Sequence, residues 1–258
     1  VLRLRSLGSG STGNATLIEA SNVRTRRVLI DCGLSIRVLE QRLSQAGVET
    51  HQIDAIFITH EHSDHVGCAH RLALEQRIPI WMSEGTWRAS GQNDYLGLLR
   101  LTADGQRIDL GELELTALSV PHDAAEPLQL RASDGQHELG VLTDLGHANE
   151  AVKDAMAGCH VLLLECNHDT QMLEQSPYPA FLKRRIAGQL GHLSNDQAAQ
   201  LAQHLQQGQL KQVVAAHLSQ KNNRPDLALQ ALKAALADRA ELSVADAQSG
   251  TPWIDVRG

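Results

Sequence analysis

Residues 59–65 read Thr-His-Glu-His-Ser-Asp-His. His60, His62 and His65 bring three imidazoles, and Asp64 a carboxylate, within six positions. They follow an apolar run, 53–58, that reads as a buried strand. Polar groups without partners are costly where water is excluded, so four of them at the end of a core strand need a purpose. Neutral imidazole nitrogen and carboxylate oxygen are ligands for zinc, manganese or iron. The spacing suits two divalent cations held side by side. A His-rich surface turn is the plainer alternative, but such a turn has no reason to follow an apolar strand.

Other chemistry-bearing side chains sit at strand ends too. Alternating and continuous apolar runs predict strands at 2–7, 15–19, 27–30, 53–58, 78–82, 113–120, 128–132, 138–142, 161–164, 211–216 and 242–245. Helical spacing predicts helices at 35–45, 66–75, 148–156, 195–206 and 225–237. Ser133-Asp134-Gly135-Gln136 is a turn signal that joins two strands as a hairpin. Asp31, His60, His122, Asp144, Glu165 and His217 each follow one of these strands. Strand ends on a common sheet edge can converge on one cleft. Such a mixture of elements implies α/β sheets covered by helices.

Composition sets the outer bounds. With 258 residues, 42% apolar, and no repeat, linker or low-complexity tract, residues 1–258 read as a single domain. No apolar run is long enough for a transmembrane helix, so no membrane partner is expected. Val1-Leu2-Arg3-Leu4-Arg5 lacks the pattern of a signal peptide. Cys32, Cys68, Cys159 and Cys166 show no Cys-x-x-Cys spacing and read as buried thiols of a cytoplasmic protein, with a ligand role for Cys32 or Cys68 as the lesser alternative. A net charge of −7 argues against a broadly basic nucleic-acid surface. It leaves room for a nucleic-acid substrate, because bound cations make a pocket locally positive. Lys183-Arg184-Arg185 reads as a solvated helix face before a phosphate grip. Aromatic content is only 3%, which favours recognition of the phosphate backbone. Trp87 and Tyr95 are the candidate stacking rings, with core packing as the favoured alternative.

The ordered set Asp31, the 60–65 run, His122, Asp144 and His217 resembles the metallo-β-lactamase-fold hydrolase superfamily over nearly the whole chain. The resemblance implies a four-layer αβ/βα sandwich. His60, His62 and His122 would hold a first metal; Asp64, His65 and His217 a second; Asp144 would bridge them. Asp31 would orient a ligand His by accepting its other N–H. The zinc β-lactamases lack a His at the position of His65, and the diiron branch has Glu at that of His62. The stretches 7–14, 165–169, 191–195 and 216–223 instead look like the small bacterial nuclease-like, YycJ-type branch, related to ribonuclease Z. Only 21 residues separate His122 from Asp144, too few for the tRNA-gripping arm of ribonuclease Z.

Two cations about 3.5–4 Å apart can bridge a hydroxide that attacks phosphorus or carbonyl carbon. Asp64 and Asp144 are the carboxylates nearest that nucleophile. His192 is the candidate proton donor to a phosphodiester leaving group, with Glu165 orienting it, as the resemblance implies. The alternative for His192 is an incidental neighbour of a helix cap at Ser194 or Asn195. Ser11 and Asn14 in the glycine-rich 8–14 loop, His168, and Ser219, Lys221 and Asn222 are substrate-side candidates. The other histidines, His147 among them, read as ordinary surface or boundary residues. The leading expectation is a phosphodiesterase or nuclease with two divalent ions (Zn, Mn or Fe). A small-molecule hydrolase of the same fold, acting on a thioester, lactone or cyclic phosphate, is the alternative.

Overall fold

The computed structural model describes all 258 residues. In chain order the strands are β1 (Leu2–Gly8), β2 (Ala15–Ser21), β3 (Thr25–Ile30), β4 (Ala55–Phe57), β5 (Ile80–Met82), β6 (Leu99–Leu101), β7 (Arg107–Asp109), β8 (Glu114–Ser119), β9 (Leu128–Ser133), β10 (Glu138–Leu142), β11 (Val161–Glu165), β12 (Gln212–Ala216), β13 (Glu241–Val244) and β14 (Ile254–Asp255). The helices are α1 (Ile36–Gln45), α2 (Ser63–Val66), α3 (Ala69–Gln76), α4 (Glu84–Ala89), α5 (Glu150–Met156), α6 (Thr170–Gln175), α7 (Ala180–Ile186), α8 (Asn195–Leu205) and α9 (Pro225–Leu236). The strands form two seven-stranded sheets, ordered β14-β1-β2-β3-β4-β5-β6 and β13-β12-β11-β10-β9-β8-β7.

Period-two alternation sorts the strand side chains into layers. In β3 and β4, Val28, Ile30, Ala55 and Phe57 join the core between the sheets, while Leu29 and Ile56 face α1 and α3. In β11 and β12, Val161, Leu163, Val214 and Ala216 point to the same central core. Leu162, Leu164, Val213 and Ala215 pack instead against α5, α8 and α9. Strands buried on both faces must be apolar throughout, which explains the continuous runs 53–58 and 161–164. The result is the expected αβ/βα sandwich.

Strand direction decides where the polar residues go. β3, β4, β5 and β6 run parallel, as do β10, β11, β12 and β13. β8 and β10 both pair antiparallel with β9, so they run the same way as each other. The C-terminal ends of β8, β10, β11 and β12 therefore share one edge of their sheet, and those of β3 and β4 share one edge of the other.

The structure departs from the expected elements in places. The single helix expected over 66–75 is two, α2 and α3. Gly67 breaks it at φ +23°, where a Cβ would lie 2.4 Å from the Cys32 carbonyl oxygen. The break lets Cys68 N–H donate to that same oxygen at 2.9 Å. The short α4, β6, β7, α6, α7 and β14 were not foreseen. β6, β7 and β14 are sheet edges of two or three residues, too short to show a period.

Phe57→Ala removes a fully buried ring from the central core, so it should cost about 3–5 kcal/mol in urea unfolding. Val23→Ala, at a position 85% exposed, should stay within about 0.5 kcal/mol of the parent.

Candidate metal centre

The six strand ends meet. His60, His62 and His122 bring ligand atoms within 4.8 Å of one another, and so do Asp64, His65 and His217. Asp144 stands between the groups. Its Oδ1 is 3.7 Å from His122 Nε2, and its Oδ2 is 3.1 Å from His65 Nε2. His217 Nε2 and His65 Nε2 each lie 3.7 Å from Asp64 Oδ2. Neither Cys32 nor Cys68 belongs to these groups.

Hydrogen bonds aim the imidazoles. His65 Nδ1 donates to Asp31 Oδ2 at 2.7 Å, and His122 Nδ1 to the Gly191 carbonyl at 3.1 Å. His217 Nδ1 donates to Glu165 Oε1 at 3.0 Å. His60 Nδ1 lies 3.0 Å from Thr59 Oγ1, which donates onward to Asp31 at 2.9 Å. Four rings thus engage Nδ1 and keep Nε2 for the cluster. His62 is the reverse case, with Nδ1 3.0 Å from His60 Nε2. Two nitrogens on one tetrahedral zinc stand about 3.3 Å apart, close to that spacing. His122 Nε2, His217 Nε2 and Asp144 Oδ2 are buried without a hydrogen-bond partner. Buried polar atoms seldom go unpaired, and three of them spread over the two groups of ligand atoms suit bound cations.

Charge points the same way. Asp31, Asp144 and Glu165 are buried, and Asp64 is partly so. Burial pushes the Asp144 carboxyl up, but His217 and His65 outweigh it and hold it well below the usual carboxylate range. Burial pushes His65 down, yet Asp144 and Asp31 win and raise it to about 10. Burial and the facing His65 hold His60 well below the ordinary imidazole value. Carboxylates that demand a proton on His65, beside an imidazole that burial and its neighbours keep neutral at His60, make a place in which divalent cations can replace protons. The backbone carries strain here too. Asp31 and His217 sit at φ +60° and +52°, sparsely populated for residues with a Cβ. Both are the first residue after their strand, and the left-handed turn swings each side chain back over the sheet edge.

Glu165 joins two parts of the site. Its Oε1 accepts from His192 Nδ1 at 2.7 Å and from His217 Nδ1 at 3.0 Å. Its Oε2 accepts from the backbone N–H of Leu145 and of Leu193. Burial lowers His192, but the Glu165 carboxylate more than offsets this and holds the imidazole above its ordinary value. The helix cap beside it is present as well, since Ser194 Oγ accepts from Gln197 N–H and opens α8. The 186–192 segment is pinned from several sides. Asp123 N–H donates to the Leu190 carbonyl, Arg185 Nε to Asp123 Oδ2 at 2.6 Å, and His147 Nδ1 to the Gln189 carbonyl.

A cavity of about 260 Å³ opens beside Asp64, Asp144, His192 and His217. Of the expected substrate-side residues, Ser11, Ser219 and Asn222 line it. Lys221 is exposed nearby, over the Tyr178 ring. Asn14 does not line it. Its side chain is buried, accepts from Gly10 N–H and donates to the Asp64 carbonyl, and its Nδ2 lies 3.0 Å from His65 Nε2; it braces the ligand loop. His168 is also elsewhere. It borders a second cavity with Lys183 and Arg184, on another face of α7 from the one that carries Leu182, Arg185 and Ile186. Burial lowers His168 to about 4, so it is neutral. The basic cluster therefore divides, with Arg185 alone turned to the first cavity. Trp87 and Tyr95 pack with the core under the first sheet.

Thr59, Asp123, Asn167, Tyr178 and Gly191 are site residues that sequence reasoning missed. Asp123 was in plain view next to His122. Tyr178 stands out between two prolines, Pro177 and Pro179.

Residues 26–218 match the β-lactamase superfamily domain. The chain belongs to this superfamily and is a metallo-β-lactamase-fold hydrolase. Within it, the chain is similar to exodeoxyribonuclease YycJ of Bacillus anthracis, 31% identical over 243 residues that cover 92% of this chain and 90% of that one. It is likewise 32% identical to exodeoxyribonuclease WalJ of Streptococcus pneumoniae, covering 92% and 89%. Among solved structures, the metallo-β-lactamase fold protein YhfI from Bacillus subtilis superposes with a TM-score of 0.76 over 99% of this chain and all of that one, at 17% identity, a likeness of fold. No helix is long and apolar enough to cross a membrane.

Asp31→Asn keeps an oxygen to accept from Thr59 N–H but removes the charge that holds His65. It should weaken divalent-metal affinity about 10- to 100-fold in chelator competition, with the fold retained by circular dichroism.

Proposed function

We propose that this chain is a phosphodiesterase acting on nucleic acid, an exodeoxyribonuclease that works with two divalent cations. The observation that carries the reading is the Glu165–His192 pair at 2.7 Å, with His192 on the wall of the same cavity as Asp64, Asp144 and His217 and Glu165 buried behind it. A phosphodiester leaving group departs as an alkoxide and benefits from a proton, whereas a thioester leaves without one. Two relatives named exodeoxyribonuclease, each matched over nine-tenths of this chain, support DNA as the substrate.

In this reading His60, His62 and His122 would hold one cation, and Asp64, His65 and His217 the other, with Asp144 between the two groups serving both. The unpartnered Nε2 atoms of His122 and His217 support these roles. Bound there, the cations would activate water and neutralise charge on the phosphoryl group. The protein's own groups do the rest. Glu165 fixes His192 through Nδ1 and keeps it charged, leaving Nε2–H to protonate the departing oxygen. Asp64 and Asp144 contribute through the cations they position. Ser11, Ser219 and Asn222 offer hydrogen bonds to the phosphate oxygens, and Arg185 a charge. The residues between His122 and Asp144 are taken up by the β9–β10 hairpin, which leaves the cavity open to a strand end. The site draws on both sheets, which supports one functional domain over 1–258.

His192→Ala should lower kcat about 100-fold or more on an unactivated DNA strand, and far less on a diester with a p-nitrophenolate leaving group, with metal content unchanged. Equal loss on both substrates would remove the proton-donor role. Glu165→Gln, which also releases His217, should lower metal occupancy as well as turnover, read by elemental analysis of the purified protein.

A further inference from the structure

We propose that Tyr178 is the platform on which the base next to the scissile phosphate stacks, so that the site takes its substrate as a single unpaired nucleotide. The inference rests on the phosphodiesterase reading above and specifies how that site holds its strand.

Tyr178 is the one Tyr, Trp or Phe ring on the cavity wall that also carries His192, Ser219 and Asn222. The chain has few rings to spend. Phe57, Trp81, Trp87, Tyr95 and Trp253 all pack with the cores, and Phe181, 67% exposed, lies outside the cavity lining. The backbone that carries the ring is also restricted. Pro177 and Pro179 flank Tyr178, fix their own φ angles and confine the residue before each to extended backbone. Lys221 Nζ stands over the ring, 5.7 Å from its centroid. A half-buried ring on such a backbone requires little reordering of the chain when a base meets it. Around it are groups for a phosphate: Arg185, whose Nε holds Asp123, and the Ser219 hydroxyl, which accepts from Asn222 and keeps its own proton to donate. Arg185 is 63% exposed at its side chain and keeps its remaining N–H groups for an anion. A cavity of about 260 Å³ has room for a group the size of one nucleotide unit. A base in it must already be out of the stack, and a ring face offers the contact that every base can use.

The test is binding of single-stranded DNA with nuclease-resistant phosphorothioate terminal linkages to the metal-loaded full-length protein, followed by fluorescence anisotropy. Each strand is made with its normal terminal base and with an abasic terminal residue, at either end. Tyr178→Ala should weaken binding of the normal strand about 5- to 150-fold, and Tyr178→Phe should bind as the parent does. The abasic terminus should weaken the parent by a similar factor and leave Tyr178→Ala unaffected, because the two losses remove the same contact. If Tyr178→Ala binds the normal strand like the parent, or if the abasic residue weakens both proteins equally, the stacking role is overturned. Separately, a metal-loaded parent protein inert toward every DNA and RNA strand would overturn the phosphodiesterase reading itself. Activity in the parent with indifference to Tyr178 would overturn the platform alone.

Discussion

Buried negative charge is the constraint around which this molecule is built. Asp31, Asp144 and Glu165 have almost no contact with water, and Asp64 has little. Ionised carboxylates in such a place are tolerated only if positive charge or donated hydrogen bonds surround them. The structure supplies imidazoles on every side, but it turns most of them so that one nitrogen answers a fixed acceptor and the other faces an unfilled demand. Cations at those nitrogens would meet the demand of the carboxylates and of the imidazoles together. The same residues therefore make metal affinity and local stability a single quantity, as for other sites in which ligands are gathered from separate elements.

Topology makes this gathering cheap. A parallel strand delivers its C-terminal end to one edge, and two sheets packed face to face bring two such edges together. Asp31, His60, His122, Asp144 and His217 then need only to lie within the first few residues past a core strand. Asp31 and His217 use a left-handed backbone to turn back over the edge, a strain the two apolar layers beneath can hold in place. Gly33 and Gly67 allow the loop after β3 to press against α2, since a Cβ on either would collide with backbone. Close packing of that loop is what sets Asp31 beneath His65.

Much of this was legible in the chain. The 60–65 run, and the placement of Asp31, His122, Asp144, Glu165 and His217 after apolar runs, pointed to the cluster because core strands must be apolar and functional groups must lie beyond them. The fold class followed from the same alternation. What was hidden was direction. Asn14 sits in a glycine-rich loop that reads as an anion cradle, yet its amide faces inward to the Asp64 carbonyl. His168 lies three residues past Glu165 and falls on a different cavity. The α7 segment has no buried residue and so no apolar period to announce it, although its Arg185 face forms a wall of the site. Residue type and spacing locate an edge; which way a loop side chain turns depends on hydrogen bonds across more than a hundred residues, such as Ser9 Oγ accepting from His217 N–H.

Glu165 shows how binding and chemistry become inseparable here. One oxygen atom accepts from His192, which faces the cavity, and from His217, whose Nε2 faces Asp64. A carboxylate cannot strengthen its bond to one imidazole without altering what it offers the other. Charge drawn from Glu165 by a protonated His192 leaves His217 a poorer electron donor at Nε2, and loss of that proton reverses the effect. In the proposed reading, the proton on His192 would thus be coupled to the ligand strength of His217 through a single buried atom. Because two backbone N–H groups clamp the second oxygen, the carboxylate cannot rotate to escape the conflict. A site built this way resists piecemeal change: His192 can be varied with His217 left in place, but Glu165 cannot be varied for one partner alone.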